Sequence, residues 1–210
     1  MYPQNNQDTW PANSKMMIRE APMQDAQAYL DTIQRDGFLG PMFSSYLLAK
    51  PYYADRVVLD FGCGYGWGSF LISQHCRRVT GYDIDRHRVR FARETFRNEN
   101  LEFLSSSKGL MRGGYDVICL FQVLAHLAQP EKELEKLLEY LRPGGILLFG
   151  LKESAAGALR LLEEWGGEQN LIRLYRTRRY LSDADSVIET GYQLPCKGEP
   201  DDGQNKPADF

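Results

Sequence analysis

The sequence predicts an α/β protein with a doubly wound, mostly parallel sheet and helices on both faces. Three observations carry this. From Arg56 to Leu151, short apolar runs alternate with stretches of helical period, the pattern of repeated βα units. The run Val57-Val58-Leu59 ends in Asp60, and Gly62, Gly64, Gly66 and Gly68 follow before apolar residues resume at Phe70. That reads as a strand that stops, a turn too tight for side chains, and the start of a helix. The segment Tyr115 to Phe121, YDVICLF, is nearly all apolar, as a parallel strand covered on both faces should be.

Taken in order, residues 1 to about 23 are rich in Asn, Gln and Pro and read as loop. Asp25 to Arg35 and Phe43 to Lys50 read as short helices, the second ended by Pro51. The first strand is Arg56 to Phe61, and a helix runs from about Trp67 to His75. The second strand is Arg78 to Tyr82. Asp85 can cap the next helix, which carries Val89, Ala92 and Phe96 on one face. Leu101 to Leu104 and Tyr115 to Phe121 make the third and fourth strands.

Pro130 opens a helix where its missing N–H costs nothing. Arg142-Pro143-Gly144-Gly145 stops that helix, and Ile146 to Leu151 is the fifth strand. Ala155 to Trp165 is expected to be helical, with Gly166-Gly167 breaking it. Leu171 to Tyr175 alternates like a short edge strand, Asp183 to Thr190 reads as a helix, and Tyr192 to Cys196 as a last strand. No convincing seventh strand is legible. Three segments follow: an N-terminal arm with short helices over residues 1–50, able to act as a lid; a cofactor-binding domain over 51–197; and a polar tail over 198–210.

At 210 residues with 25 basic and 28 acidic side chains, the net charge is −3, so no whole-chain charge argument favours nucleic acid. Arginines do cluster at Arg86, Arg88, Arg90, Arg93 and Arg97, and at Arg173, Arg176, Arg178 and Arg179. An ordinary solvated face is the favoured reading of each cluster, a substrate-facing surface the other. No apolar run approaches the roughly 20 residues of a membrane span, and residues 1–15 lack the features of a signal peptide. Four dispersed cysteines and three dispersed histidines offer no metal-ligand spacing. The expected setting is the cytoplasm, with reduced thiols and no metal.

A glycine turn with a downstream acid, here Asp83, also suits a dinucleotide. Asp60, placed before the glycines, tilts the reading toward a ligand with a ribose and an ammonium group. VLDFGCGYG resembles motif I of the class I S-adenosylmethionine-dependent methyltransferases, and GYDID resembles their motif II. YDVICLFQVLAHL is similar to their motif IV, PEKELEKLLEYLRPGGILLF to the helix, turn and fifth strand, and RRYLSDADSVIETGYQL to the last helix and the start of strand six. The resemblance covers roughly Tyr46 to Pro195 and implies a Rossmann-like methyltransferase fold. A flavin or nicotinamide enzyme is the competing assignment.

The resemblance implies S-adenosyl-L-methionine as cofactor and S-adenosyl-L-homocysteine as product. It assigns Asp60 to the methionine ammonium, and Gly62, Cys63 and Gly64 to backbone contacts with methionine and ribose. Asp83 would bind the ribose hydroxyls and Ile84 pack on the adenine, unless Ile84 is plain core. Phe121 and Gln122 would line the methionine side near the methyl group. Where relatives carry an acid after the third strand, this chain has Ser105-Ser106-Ser107, so Ser107, or the backbone of Lys108, would meet the adenine. Ala125 replaces a frequent Glu and leaves His126 at the mouth of strand four. An imidazole there can take a proton from a hydroxyl acceptor, although packing is the commoner role.

Acceptor-facing candidates are Tyr65, Trp67, Phe121, Gln122, His126, Tyr175 and Arg179. Tyr65 and Trp67 fit equally well as packing between the N-terminal helices and the first loop. The leading functional expectation is methyl transfer to oxygen or nitrogen of a small-molecule or sugar-containing acceptor, by a monomer or homodimer. The alternatives are a protein or RNA methyltransferase, and a non-catalytic scaffold that binds S-adenosylmethionine.

Overall fold

The computed structural model describes residues 41–182 and 185–195. Residues 1–40 of the expected N-terminal arm and lid (1–50), with the helix Asp25 to Arg35, and the tail 198–210 lie outside the described residues. Seven strands form one sheet in the order β3-β2-β1-β4-β5-β7-β6. They are β1 (Val57–Phe61), β2 (Arg78–Tyr82), β3 (Leu101–Leu104), β4 (Tyr115–Phe121), β5 (Leu141–Lys152), β6 (Ile172–Ser182) and β7 (Asp185–Gln193). β1 pairs in parallel with β2 and β4, β2 with β3, and β4 with β5. β7 runs antiparallel between β5 and β6. The chain leaves β1 toward β3 and returns on the other side at β4, so the carboxyl ends of β1 and β4 flank the topological switch point, where open α/β sheets bind ligands.

Helices α1 (Pro41–Leu48), α2 (Lys50–Tyr53), α3 (Trp67–Ser73), α4 (Arg86–Thr95), α5 (Pro130–Tyr140) and α6 (Ala156–Glu168) accompany the sheet. Two starts follow the expected chemistry. The Asp85 side chain accepts from the N–H groups of His87 and Arg88 at the head of α4, and Pro130 occupies the first turn of α5. The central strands are mostly apolar, with Asp60 of β1 and Asp116 of β4 as exceptions: Leu59, Ile118, Leu120, Leu147 and Phe149 share one core with Leu134 and Leu137 of α5 and Leu162 and Trp165 of α6. Among the described residues, no helix is long and apolar enough to cross a membrane.

The first four strands fall where the sequence places them. The carboxyl-terminal third does not. Residues 185–190, read as helix, belong to β7, and Leu171 to Tyr175 is the start of an eleven-residue β6. A seventh strand therefore exists, and the likeness of RRYLSDADSVIETGYQL to a last helix fails. Val187, Ile188, Glu189, Thr190 and Tyr192 are all buried. A strand held between two others and covered on both faces shows no alternation, so its period is uninformative. The Ser182-Asp183 pair also imitates a helix start. An isolated eight-residue helix is marginal, and hydrogen bonding along β5 and β6 on both sides prevails.

Gly166-Gly167 does not stop α6, which continues to Glu168. A Cβ on Gly166 would stand 3.2 Å from the Tyr192 ring, so the glycine lets α6 approach β7. The RPGG segment is not a free turn but the irregular start of β5, with a register shift against Tyr115 and Val117.

At the amino end of the sheet, Asp116 of β4 ties three elements together. Its carboxylate accepts from the Val57 N–H at 2.8 Å, from Arg142 at 2.5 Å and from Arg77 at 3.3 Å. Burial raises its carboxyl, but these three donors outweigh that and hold it below the usual range. A depressed acid contributes stability that is present above its unfolded pKa and lost as pH falls through the folded value. Replacing Asp116 by Ala should lower unfolding stability by about 1–2 kcal/mol at neutral pH, discounted for partial exposure. Urea denaturation of both proteins should show the gap closing below about pH 4.

Candidate functional site

The site is built where β1 and β2 end. After Phe61 the chain turns through Gly62 and Gly64, both left-handed, with φ of 79° and 55°. The Gly62 and Cys63 N–H groups both donate to the Tyr82 carbonyl, at 2.7 and 2.9 Å. The Gly64 N–H donates to Asp83 Oδ2 at 2.9 Å. The end of β2 thus closes the turn that follows β1. These three N–H groups are engaged inside the protein, so the turn offers a ligand its open surface and carbonyls instead. A Cβ on Gly64 would meet nothing within 4 Å, which leaves the turn bare on its outer side.

Asp83 is buried, and its other oxygen, Oδ1, accepts from the Asp85 N–H at 2.9 Å. Each carboxylate oxygen has a second lone pair, so two hydroxyls can still be received. Ile84 follows with 83% of its surface exposed. It is no part of the core; it is a bare apolar group on the rim of the same turn. Tyr65, also exposed, stands edge-on to Phe91 with Arg88 over its ring.

Asp60 is 1% exposed. Ser69 of α3 donates to its Oδ2 at 2.6 Å, and Tyr46 of α1 donates to its Oδ1 at 3.2 Å. Burial pushes its carboxyl up to about 6, against the lowering effect of the Ser69 and Tyr46 hydrogen bonds and with a further rise from Asp83. Such a group is poised to prefer a cationic neighbour. Cys63 is buried beside it, its thiol raised by burial and by the two acids; that is the profile of a filler, not a nucleophile.

Phe121 closes β4 and meets the Tyr46 ring edge-on at 4.7 Å. The next residue, Gln122, is held at φ 60° with its N–H on the Gly150 carbonyl at 2.8 Å. A left-handed glutamine costs about 1 kcal/mol or more, and the Gly150 carbonyl helps to hold it there. His126 lies on a 3-10 turn, Leu124–His126, exposed and with no hydrogen-bond partner for its imidazole among the described residues. Ser107 and Lys108 are exposed on the 3-10 turn after β3, Ser107–Gly109, where the Lys108 N–H faces the Ser106 hydroxyl at 3.4 Å.

Asp60, the glycine turn, Asp83 and Ile84 are thus brought together, with Phe121 and Gln122 across the switch point at the end of β4. Trp67 is not at the acceptor side: it is buried and packs edge-on against Phe96. Tyr175 stacks on Tyr52. Arg179 pairs at 2.9 Å with Glu189, a buried acid of β7 that also accepts from Ser45 at 2.8 Å. Two neighbouring residues of α1, Ser45 and Tyr46, therefore each bind a buried carboxylate. Ser69 leaves no signal in the sequence, and Glu189 only that of an acid in the largely apolar run Val187 to Tyr192.

The arginine clusters are largely engaged within the chain. Arg88 pairs with Asp85, Arg90 with Glu94, Arg176 with Glu163 and Arg178 with Glu153, while Arg93 donates to the Phe103 carbonyl.

The residues present fit S-adenosylmethionine. A buried acid without a cationic partner among the described residues suits an ammonium. A second acid with lone pairs to spare suits a ribose, and an exposed isoleucine suits an adenine face.

Comparison with known proteins agrees. A probable S-adenosylmethionine-dependent methyltransferase of Mycolicibacterium smegmatis is 38% identical over 100 residues, covering 45% of this chain and 37% of that protein. A protein-L-isoaspartate O-methyltransferase of Myxococcus xanthus is 28% identical over 149 residues, covering 70% and 64%. The chain thus spans less than two thirds of the length of these curated relatives. The fold matches N-methyltransferase NodS of Bradyrhizobium japonicum in complex with S-adenosyl-L-homocysteine at a TM-score of 0.63 and 19% identity, covering 86% of this chain and 97% of that one. A SAM-dependent methyltransferase from Aquifex aeolicus matches at 0.61 and 18%, covering 73% and 90%. A methyltransferase-domain family model matches residues 28–185, and with this strand order and these strand-end acids the chain belongs to the class I S-adenosylmethionine-dependent methyltransferase family.

Proposed function

We propose that the protein transfers the methyl group of S-adenosylmethionine to an oxygen or nitrogen of a small-molecule or sugar-containing acceptor. The observation that carries the cofactor assignment is the pair of buried acids, Asp60 and Asp83, at the ends of β1 and β2, with the side-chain-free turn at Gly64 bonded to Asp83. When bound, the cofactor supplies a methyl group activated by its positive sulfur. The chain's own part is to hold the ammonium at Asp60, receive the ribose at Asp83, cover the adenine with Ile84, and shape the transfer end with Phe121 and Gln122. Alignment and exclusion of water are the main demands of such a displacement. His126 is the candidate proton acceptor at that end when the acceptor arrives as a hydroxyl or ammonium.

The internal pairing of the arginines favours a small acceptor over nucleic acid. A protein acceptor is the second reading, favoured by the likeness to a protein-L-isoaspartate O-methyltransferase.

Calorimetric titration with S-adenosylhomocysteine tests the cofactor site. Asp83→Ala should weaken binding by about 1.5–3 kcal/mol, the range for hydrogen bonds to a charged group. Gly64→Val should abolish binding, because its side chain enters the bare surface, while left-handed strain costs the fold about 2 kcal/mol, a loss that thermal unfolding of the variant separates from lost binding. Equal affinity in either variant sinks the assignment.

Incubation of a cell extract with methyl-labelled S-adenosylmethionine tests the acceptor class. Label should appear in the small-molecule or glycan fraction; label confined to protein overturns that reading, and no turnover despite tight cofactor binding makes the chain a scaffold. Once an acceptor is identified, His126→Asn should lower kcat by about 10²-fold or more at unchanged S-adenosylhomocysteine affinity. An unaltered kcat removes His126 from the chemistry.

A further inference from the structure

Tyr46 touches both the buried acid and the transfer end. Its hydroxyl lies 3.2 Å from Asp60 Oδ1 and 3.5 Å from Oδ2. The phenol end of its ring lies against α3 at Gly68, where a Cβ would stand 2.0 Å from the ring. The same ring meets Phe121 edge-on at 4.7 Å. Burial, then the nearby Asp60, pushes the phenol well above its ordinary value, so it remains a hydrogen-bond donor at any working pH.

The groups facing Asp60 are few. Ser69 donates to Oδ2 from α3. Asp83 acts on it as a like charge, which raises its carboxyl. The Cys63 and Cys119 thiols and the Tyr53 phenol nearby are all raised by burial and are neutral. Among the described residues no Lys or Arg pairs with Asp60. Its negative charge is therefore sustained by two hydroxyls, and one of them belongs to a helix outside the glycine-turn unit.

We propose that Tyr46 is a positioning residue for the ammonium group of the cofactor: through its hydrogen bond it keeps Asp60 ionised and oriented, and so sets the lowest pH at which a cationic ligand is held. This inference rests on the cofactor site assigned above. The reasoning is a balance of opposed effects. Burial favours the protonated acid, and a donated hydrogen bond favours the carboxylate. Asp60 attracts an ammonium only as the carboxylate, so affinity should fall as pH drops through about 6, where its carboxyl titrates. Removing the phenol removes one of the two opposing donors, and the fall then begins at higher pH.

The test is calorimetric titration of S-adenosylhomocysteine into wild type, Tyr46→Phe and Ser69→Ala between about pH 5 and 8. A parallel titration uses 5′-methylthioadenosine, which lacks the ammonium. Tyr46→Phe keeps the ring on Gly68 and Phe121. Its low-pH limb for S-adenosylhomocysteine should move up by about half to one pH unit, a loss of about two- to fivefold in affinity at pH 6 that approaches about three- to tenfold at pH 5. Its affinity for 5′-methylthioadenosine should be unchanged. A purely structural role would weaken both ligands equally at every pH and overturns the inference. So does a limb that moves in Ser69→Ala but not in Tyr46→Phe. Failure of the wild type to bind S-adenosylhomocysteine at any pH would overturn the cofactor site itself, and this inference with it.

Discussion

The end of β2 governs the turn that follows β1, and the site depends on that closure. The Tyr82 carbonyl takes two N–H groups of the turn and Asp83 takes a third. Three N–H groups that would otherwise need water or ligand are thereby satisfied within the protein. Gly62 and Gly64 adopt left-handed conformations to make those bonds, and the bare surface at Gly64 is the by-product. Asp83 organises the turn through two backbone N–H groups and still retains free lone pairs on both oxygens.

Asp60 is the complementary case. It is buried with two hydroxyl donors and raised to about 6 by its surroundings. A raised acid leaves the fold unburdened at low pH and costs stability as pH rises from about 4 through its folded value, because the unfolded chain ionises it in water. No cation of the described protein relieves that cost. Functional sites commonly retain such an uncompensated group because a ligand supplies the missing charge. Asp116 at the opposite end of the sheet shows the contrast: with one N–H and two guanidiniums it is held low and stabilises the fold.

α1 joins the two halves of the sheet around the switch point. Through Tyr46 it reaches Asp60 on β1, and through Ser45 it reaches Glu189 on β7. Gly150 of β5 lies between, where a Cβ would stand 3.0 Å from the Ser45 hydroxyl and 3.2 Å from Phe121. The β6–β7 pair is therefore tied to the carboxyl end of β4, which gives Arg179 its place: it pairs with the buried Glu189.

The sequence by itself determined the parallel half of the fold and made the glycines and strand-end acids of the candidate site legible. There the signals are local: a strand that stops in glycines, an acid at the next strand end, a capped helix, an apolar fourth strand. Contiguous residues decide those features, so they are legible without a partner. Tertiary structure alone decided the rest. Residues 185–193 are a strand because β5 and β6 pair with them on both sides, a long-range gain that local propensity and a helix-like start do not record. Likewise Ser69, Tyr46 and Glu189 gain their roles from side chains that meet across different elements, a relation set by packing and not by spacing along the chain.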